Sequence, residues 1–124
     1  MDVMRTGCSM LGNLEPEADF TMEQEVTERL LALFPAIICY WYRFSHHGVR
    51  IETETDDPSI GSYFLTLLHD KKPSALHAKV MNVSLILYAE HEFNASTFTA
   101  RVCASTMSDI FSCVVNYYGK IHKW

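Results

Sequence analysis

The chain has 124 residues, 48% of them apolar, and carries a formal net charge of -5. That length allows one compact domain or part of a larger one, and the apolar fraction is enough for a real core. The acidic balance, with no clustered Lys and Arg, argues against nucleic acid as a partner, because phosphate binding draws on such clusters.

Residues Met1 to Leu11 read as a short helix or the tail of a longer one, since Val3, Met4, Cys8 and Leu11 recur at helical spacing. The same stretch carries Asp2 and Arg5 and lacks a long apolar core, so it does not read as a secretory signal. Asn13 to Pro16 ends it. Thr21-Met22-Glu23-Gln24 then fits a capping box, with Thr21 accepting from the Gln24 amide and Gln24 reaching back. Glu23 and Glu25 suit the positive end of the helix dipole.

The helix that starts there runs to about Phe44. Its half from Leu30 to Phe44 is apolar all round, which places it inside a larger body. The stretch Leu30 to Tyr42 is shorter than the roughly 20 residues a membrane span needs, and Pro35 interrupts it. Pro35 removes one intrahelical hydrogen bond and predicts a kink. His46-His47-Gly48 stops the helix, and Val49 to Thr53 alternates weakly enough to suggest a short extended piece.

Asp57-Pro58 predicts the next start, with Asp57 as cap and Pro58 as the first helical residue. Ile60, Phe64, Leu67 and Leu68 form its apolar face, and Asp70 to Pro73 breaks it. A helix from about Ser74 to Ala89 follows, with Leu76, Val80, Val83 and Leu87 on one face and Met81, Leu85 and Tyr88 beside them, so that it is apolar on most sides. After Glu90 to Asn94 come helices over Ala95 to Ala104 and Met107 to Tyr118, with Gly119 as the last one's cap. The fold class is all-α, with about six helices and almost no strand.

Six histidines raise the question of metal binding. His91-Glu92 begins like the zinc motif HExxH, but Ala95 stands where the second histidine must be. No histidine pair has ligand spacing joined to a Cys or carboxylate cluster, so no metal is expected. The four cysteines, Cys8, Cys39, Cys103 and Cys113, form no CxxC pair and read as reduced cytosolic thiols, which points to a cytoplasmic location. No nucleophile elbow or Walker loop is present. The aromatic run Tyr40 to Phe44 reads as core rather than a base-stacking platform.

The segment from Tyr88 to Thr97 is the most informative. His91 falls at the end of one predicted helix, where the dipole favours an imidazolium, and Asn94 falls where the next begins. Free amides at a helix start bind anions, so the pair could grip a small carboxylate. The plainer alternative is a capping histidine and a capping asparagine, and the pattern alone leaves both open.

LYAEHEFNASTFTARV, residues 87 to 102, resembles the oxaloacetate-binding segment of the citrate synthase family, which has the same His-Glu-x-Asn-x-Ser-Thr order between two helices. Met1 to Ser9 resembles a second family segment, and Phe34 to Phe44 looks like the 2-methylcitrate branch. The resemblance implies that residues 1–115 are part of a citrate-synthase-like large helical domain, with 116–124 a divergent C-terminal tail. It implies an acyltransferase that condenses propionyl-CoA or acetyl-CoA with oxaloacetate, the acyl-CoA being a substrate and no cofactor being needed. In that family a carboxylate removes the thioester's α-proton, one histidine stabilises the enol, and another polarises the oxaloacetate carbonyl. Carried over residue by residue, His91 and Asn94 are the substrate-binding positions, and no catalytic residue maps onto this sequence.

The family's Gly-Pro-Leu-His-Gly motif has no counterpart here, where Gly119 is followed by Lys120-Ile121-His122-Lys123-Trp124. A frameshift, a truncation or an arbitrary cut would produce such an end. The expectation is therefore a fragment inactive alone. A possible homodimer, no membrane partner, and the alternative of a non-catalytic helical interaction module complete the reading.

Overall fold

The computed structural model describes residues 2–90, 92 and 94–119. Six helices follow in order: α1 (Asp2–Leu14), α2 (Glu23–His47), α3 (Ile60–His69), α4 (Ala75–Tyr88), α5 (Ala95–Ser105) and α6 (Ile110–Gly119), with a 3-10 turn over Phe20–Met22. No strand occurs among the described residues, so the weak alternation at Val49 to Thr53 forms no ladder. That stretch is held instead by the Tyr63 hydroxyl, which donates to the Thr53 carbonyl at 2.8 Å. The chain divides into two compact units. One holds the residues up to Leu31 and those from Glu92 onward; the other begins at Ala32 and includes α3 and α4.

In the first unit α6 packs against both α1 and α5. Met4 and Cys8, one helical turn apart on α1, are buried with Val26 and Leu30 of α2 and Phe111 of α6. The α1–α6 approach is close at Gly12, where an added Cβ would lie 2.9 Å from the Phe111 ring. The Cys8 thiol donates to the Phe111 carbonyl at 3.7 Å. Burial, with the Asp109 charge second, pushes that thiol up to about 11, so it packs as a small apolar group. Arg29 pairs with Glu15, and with Glu25 at 3.2 Å; both are exposed pairs of little energetic weight.

The start of α2 differs from the predicted capping box. Thr21 sits inside the 3-10 turn, and its amide donates to the Asp19 carboxylate at 2.8 Å. Gln24 turns forward to Glu28 at 2.8 Å and does not reach back. Asp19 wins because its carboxylate takes both the amide and the hydroxyl of Thr21, and those bonds hold it below the usual carboxylate range.

The helix α2 runs unbroken through Pro35. The proline has no N–H, so the Leu31 carbonyl lacks its usual donor four residues on, and the division between the units falls directly after Leu31. At the other end Gly48 adopts φ +67° and its amide donates to the Phe44 carbonyl at 2.9 Å. This is the glycine stop that His46-His47-Gly48 predicts.

In the second unit α3 packs on α4. A polar knot sets their spacing. The Gly61 amide donates to Asn82 Oδ1 at 2.9 Å, and Asn82 Nδ2 donates to Ser59 Oγ at 2.8 Å. Ser59, not Asp57, is the N-cap of α3, accepting from the Ser62 amide at 3.3 Å. Asp57 accepts instead from Ser62 Oγ at 2.6 Å and Thr55 Oγ1 at 2.7 Å, and the Ser62 bond leads in lowering its pKa. At the far end, Arg43 of α2 donates to the Leu68 carbonyl at 3.3 Å, one of the last-turn acceptors of α3 that have no helical partner.

The apolar surface of α4 has no cover among the described residues. Leu76, Val80, Val83 and Leu87 are all exposed, Leu87 by 74%, and no α4 residue is buried. α2 behaves similarly past Pro35. Cys39 is buried, whereas Ile38, Trp41, Tyr42 and Phe44 are exposed.

Candidate functional site

Of the two substrate-binding positions read from the sequence, His91 lies outside the described residues. Asn94 is the N-cap of α5, with φ -67° and ψ 168°. Its Oδ1 accepts from the Ser96 amide at 3.0 Å and the Thr97 amide at 2.9 Å, and its carbonyl accepts from the Phe98 amide at 2.9 Å. Asparagine suits the position because its short amide reaches the second and third amides of the helix while the backbone stays extended.

This geometry narrows what the helix start can do. Two of the amides that the anion-site reading relied on are already taken by Asn94. The same side chain carries an NH2 group with two donors, the end that these two bonds do not use. The capping alternative is thus realised at Asn94. In the segment just before it, Glu92 adopts φ +54°, a left-handed conformation that L-residues enter at a cost.

Elsewhere the reactive residue types are quiet. Cys39 donates to the Phe64 carbonyl at 3.7 Å, and burial pushes its thiol up to about 11. Cys113 is likewise raised to about 11, by burial first and then by Cys103. Among the described residues no group of three His, Cys, Asp or Glu side chains comes together as a metal site. His46 stacks on Tyr42 with ring centroids 4.7 Å apart. The Asp109 carboxylate starts α6: it accepts from the Ser112 amide at 2.9 Å and the Ser112 hydroxyl at 2.7 Å. Burial works against its charge, but those bonds outweigh it and hold the carboxyl below its ordinary value.

Sequence reasoning missed two features. One is the turn at Thr106 to Asp109, with Met107 at φ +62°, which moves the start of α6 to Ile110. Asp109 three residues before Ser112 was the available signal. The other is a cleft between α3 and α4, whose members are scattered from Leu65 to Ser84.

The asparagine cap of α5 falls in the segment that carries the sequence resemblance, and comparison with known proteins points to the same family. The family model for the citrate synthase C-terminal domain matches residues 1–117, and the chain belongs to the citrate synthase family. It is 73% identical to the 2-methylcitrate synthase of Shewanella oneidensis, over 98% of this chain and 32% of that protein. It is 39% identical to citrate synthase 2 of Bacillus subtilis, over 98% of this chain and 33% of that one. The crystal structure of citrate synthase from Thermotoga maritima superposes with a TM-score of 0.78 at 28% identity, covering 98% of this chain and 31% of that chain. The chain therefore spans about a third of the length of these relatives.

Within the family, relatives are citrate and 2-methylcitrate synthases, which are C-acyltransferases. Among the described residues no helix is long and apolar enough to cross a membrane.

Proposed function

We propose that this chain is part of a 2-methylcitrate synthase-like acyltransferase that joins propionyl-CoA, or acetyl-CoA, to oxaloacetate, and that His91 and Asn94 contribute to holding oxaloacetate. The observation that carries the reading is the 73% identity to a 2-methylcitrate synthase across nearly the whole chain. Citrate synthases at 39% and 36% and further 2-methylcitrate synthases at 37% and 36% form a common background against which it stands. In this role the Asn94 side-chain oxygen fixes α5, and its NH2 group donates to a substrate carboxylate. His91, as a hydrogen-bond donor, would hold the same dicarboxylate.

The 124 residues are expected to show no turnover alone, because no catalytic position of the family maps onto them. Four free cysteines accord with a cytoplasmic location.

A chimera tests the reading. Residues 1–117 replace the matching third of the Shewanella oneidensis enzyme, and thiol release is followed with propionyl-CoA or acetyl-CoA plus oxaloacetate. The chimera should turn over, with propionyl-CoA preferred, and His91→Ala in it should lower kcat/KM for oxaloacetate by about a hundredfold or more. A folded chimera without turnover, or a His91→Ala variant of full activity, refutes the assignment. Robust thiol release by the isolated chain would refute the placement of the catalytic groups elsewhere.

A further inference from the structure

Two of the four cysteines meet across the turn that joins α5 to α6. Cys103 lies in the last turn of α5 and Cys113 in the first turn of α6, and the two helices pack on each other. In such a helical hairpin, residues equally far from the turn face one another. Asn116, one helical turn beyond Cys113, donates from Nδ2 to Cys103 Sγ at 3.5 Å. The Cys113 thiol donates to the Ser108 carbonyl at 3.8 Å, inside the turn itself. Cys8 and Cys39 are buried, whereas this pair is only part-buried.

The surroundings give the two sulfurs different roles. Burial first, then a hydrogen bond to Cys103 and the charge Cys103 can carry, push the Cys113 thiol up to about 11. That hydrogen bond also puts the two side chains within reach of each other. The charges of Asp109 and Glu17 act in the same direction, so Cys113 stays a neutral thiol at neutral pH. Cys113 borders a cavity of about 610 Å³, with Ser108, Glu17, Glu23 and Glu28 also on its walls. A small neutral oxidant can pass those carboxylates, whereas an anionic one is repelled.

We propose that Cys103 and Cys113 are a redox modification site, closing to a reversible disulfide across the α5–α6 turn under hydrogen peroxide. Cys113, held protonated beside its partner, leaves the first attack to Cys103. Cys103 Sγ attacks one peroxide oxygen, the O–O bond breaks, and a first water departs, leaving a sulfenic acid. The Cys113 sulfur then displaces the sulfenic hydroxyl as a second water, and the S–S bond forms. Two thiols are oxidised and one peroxide is reduced to two waters. The bond ties the end of α5 to the start of α6 and closes a short loop, which favours the folded state. This site is separate from the oxaloacetate reading and stands or falls without it.

The test treats the folded 124-residue chain with hydrogen peroxide, then denatures, alkylates and digests it with trypsin. Cleavage after Arg101 and Lys120 leaves both cysteines in one peptide, 102–120. That peptide should escape alkylation and lose the mass of two hydrogen atoms, and dithiothreitol should restore both thiols. Fragment-ion sequencing separates this loss from oxygen added at Met107. Cys8 and Cys39 should remain alkylatable. In Cys113→Ser, a nearly isosteric change whose folding circular dichroism checks, the loss should vanish and dimedone should trap the sulfenic acid on Cys103. The proposal is overturned if the peptide keeps both thiols, if its sulfurs only gain oxygen, or if the link joins two chains. It is equally overturned if Cys8 or Cys39 oxidises as fast, or if dimedone leaves Cys103 of the variant unlabelled.

Discussion

Gly61→Ala tests whether α3 and α4 are spaced by the polar knot at their crossing. A Cβ at residue 61 would lie 2.5 Å from Asn82 Oδ1 and 2.9 Å from the Asn82 backbone nitrogen. The first contact could be relieved by rotating the amide, but only by breaking the bond that Oδ1 receives from the Gly61 amide at 2.9 Å. The second is with main chain, so the helices must separate. Overpacking of this kind costs about 1–3 kcal/mol and the lost hydrogen bond about 1 kcal/mol. Alanine's better helix propensity returns up to about 1 kcal/mol, less here because residue 61 lies in the first turn. The net expectation is a loss of about 2 kcal/mol, a shift of the urea midpoint of about 1 M for an ordinary m-value. Asn82→Ala alone should cost a similar amount, since it removes bonds to both Gly61 and Ser59. The double variant should cost less than the sum, because the nearest obstacle is then gone. Unfolding followed by circular dichroism in urea measures all three. A Gly61→Ala midpoint equal to that of the parent, or strictly additive costs, would refute the claim that this crossing is tightly packed.

Three further outcomes follow from the same structure. Asn94→Ala should lose about 1 kcal/mol of stability by uncapping α5, whereas Asn94→Asp should keep the cap; in the chimera, however, Asn94→Asp should raise KM for oxaloacetate by placing a carboxylate at the proposed dianion site, and steady-state kinetics would read the difference. Asp109 has a folded pKa below its ordinary value of 3.8, so its contribution is present above about pH 4 and is lost as pH falls through the folded pKa. Asp109→Asn retains a capping side chain without the titration, and an acid-unfolding series should show a shallower decline for it between about pH 5 and about pH 2. Cys8 and Cys39 are raised from 9.0 to about 11, so their neutral packing favours the fold below about pH 9 and that contribution fades as pH rises toward 11. An aromatic disulfide reagent at about pH 8 should leave both thiols unreacted until denaturant is added; fast reaction of either in the folded chain would contradict its burial.

Much of the fold was legible because it depends on short-range chemistry. Ser74 and Gly48 do what their residue types predict at helix ends, and the apolar spacing in α1 and α3 marks elements that form. The misses at Asp19, Asp57 and Asp109 share a cause. Each is an acid with several donors close by in the chain, and pattern alone does not say which donor wins. Thr21 carried the capping signature, yet Asp19 accepts from both its amide and its hydroxyl. Asp57 stood before a proline, yet Ser59 was nearer in the chain to the amides that needed an acceptor. At the candidate site, Asn94 was legible as a helix start, but whether its amide serves the helix or a ligand depended on geometry, and the geometry commits the oxygen end to the helix.

The apolar face of α4 marks the limit of such reading. Hydrophobic periodicity reports what a helix would gain by being covered, because transfer from water is worth roughly 25 cal/mol per Å² of apolar surface. It does not report whether a cover lies within the same stretch of chain. Leu76, Val80, Val83 and Leu87 satisfy every pattern rule for a core helix and are nonetheless exposed. α1 bears a single narrow stripe, and there Met4 and Cys8 are buried in a unit that also holds the start of α2 and α6. The two helices differ in their own residues, a single stripe against an almost wholly apolar surface, and the wider surface is the one left uncovered among the described residues. A sequence pattern can therefore identify a face that needs burial, while the identity of whatever buries it has to come from outside that pattern.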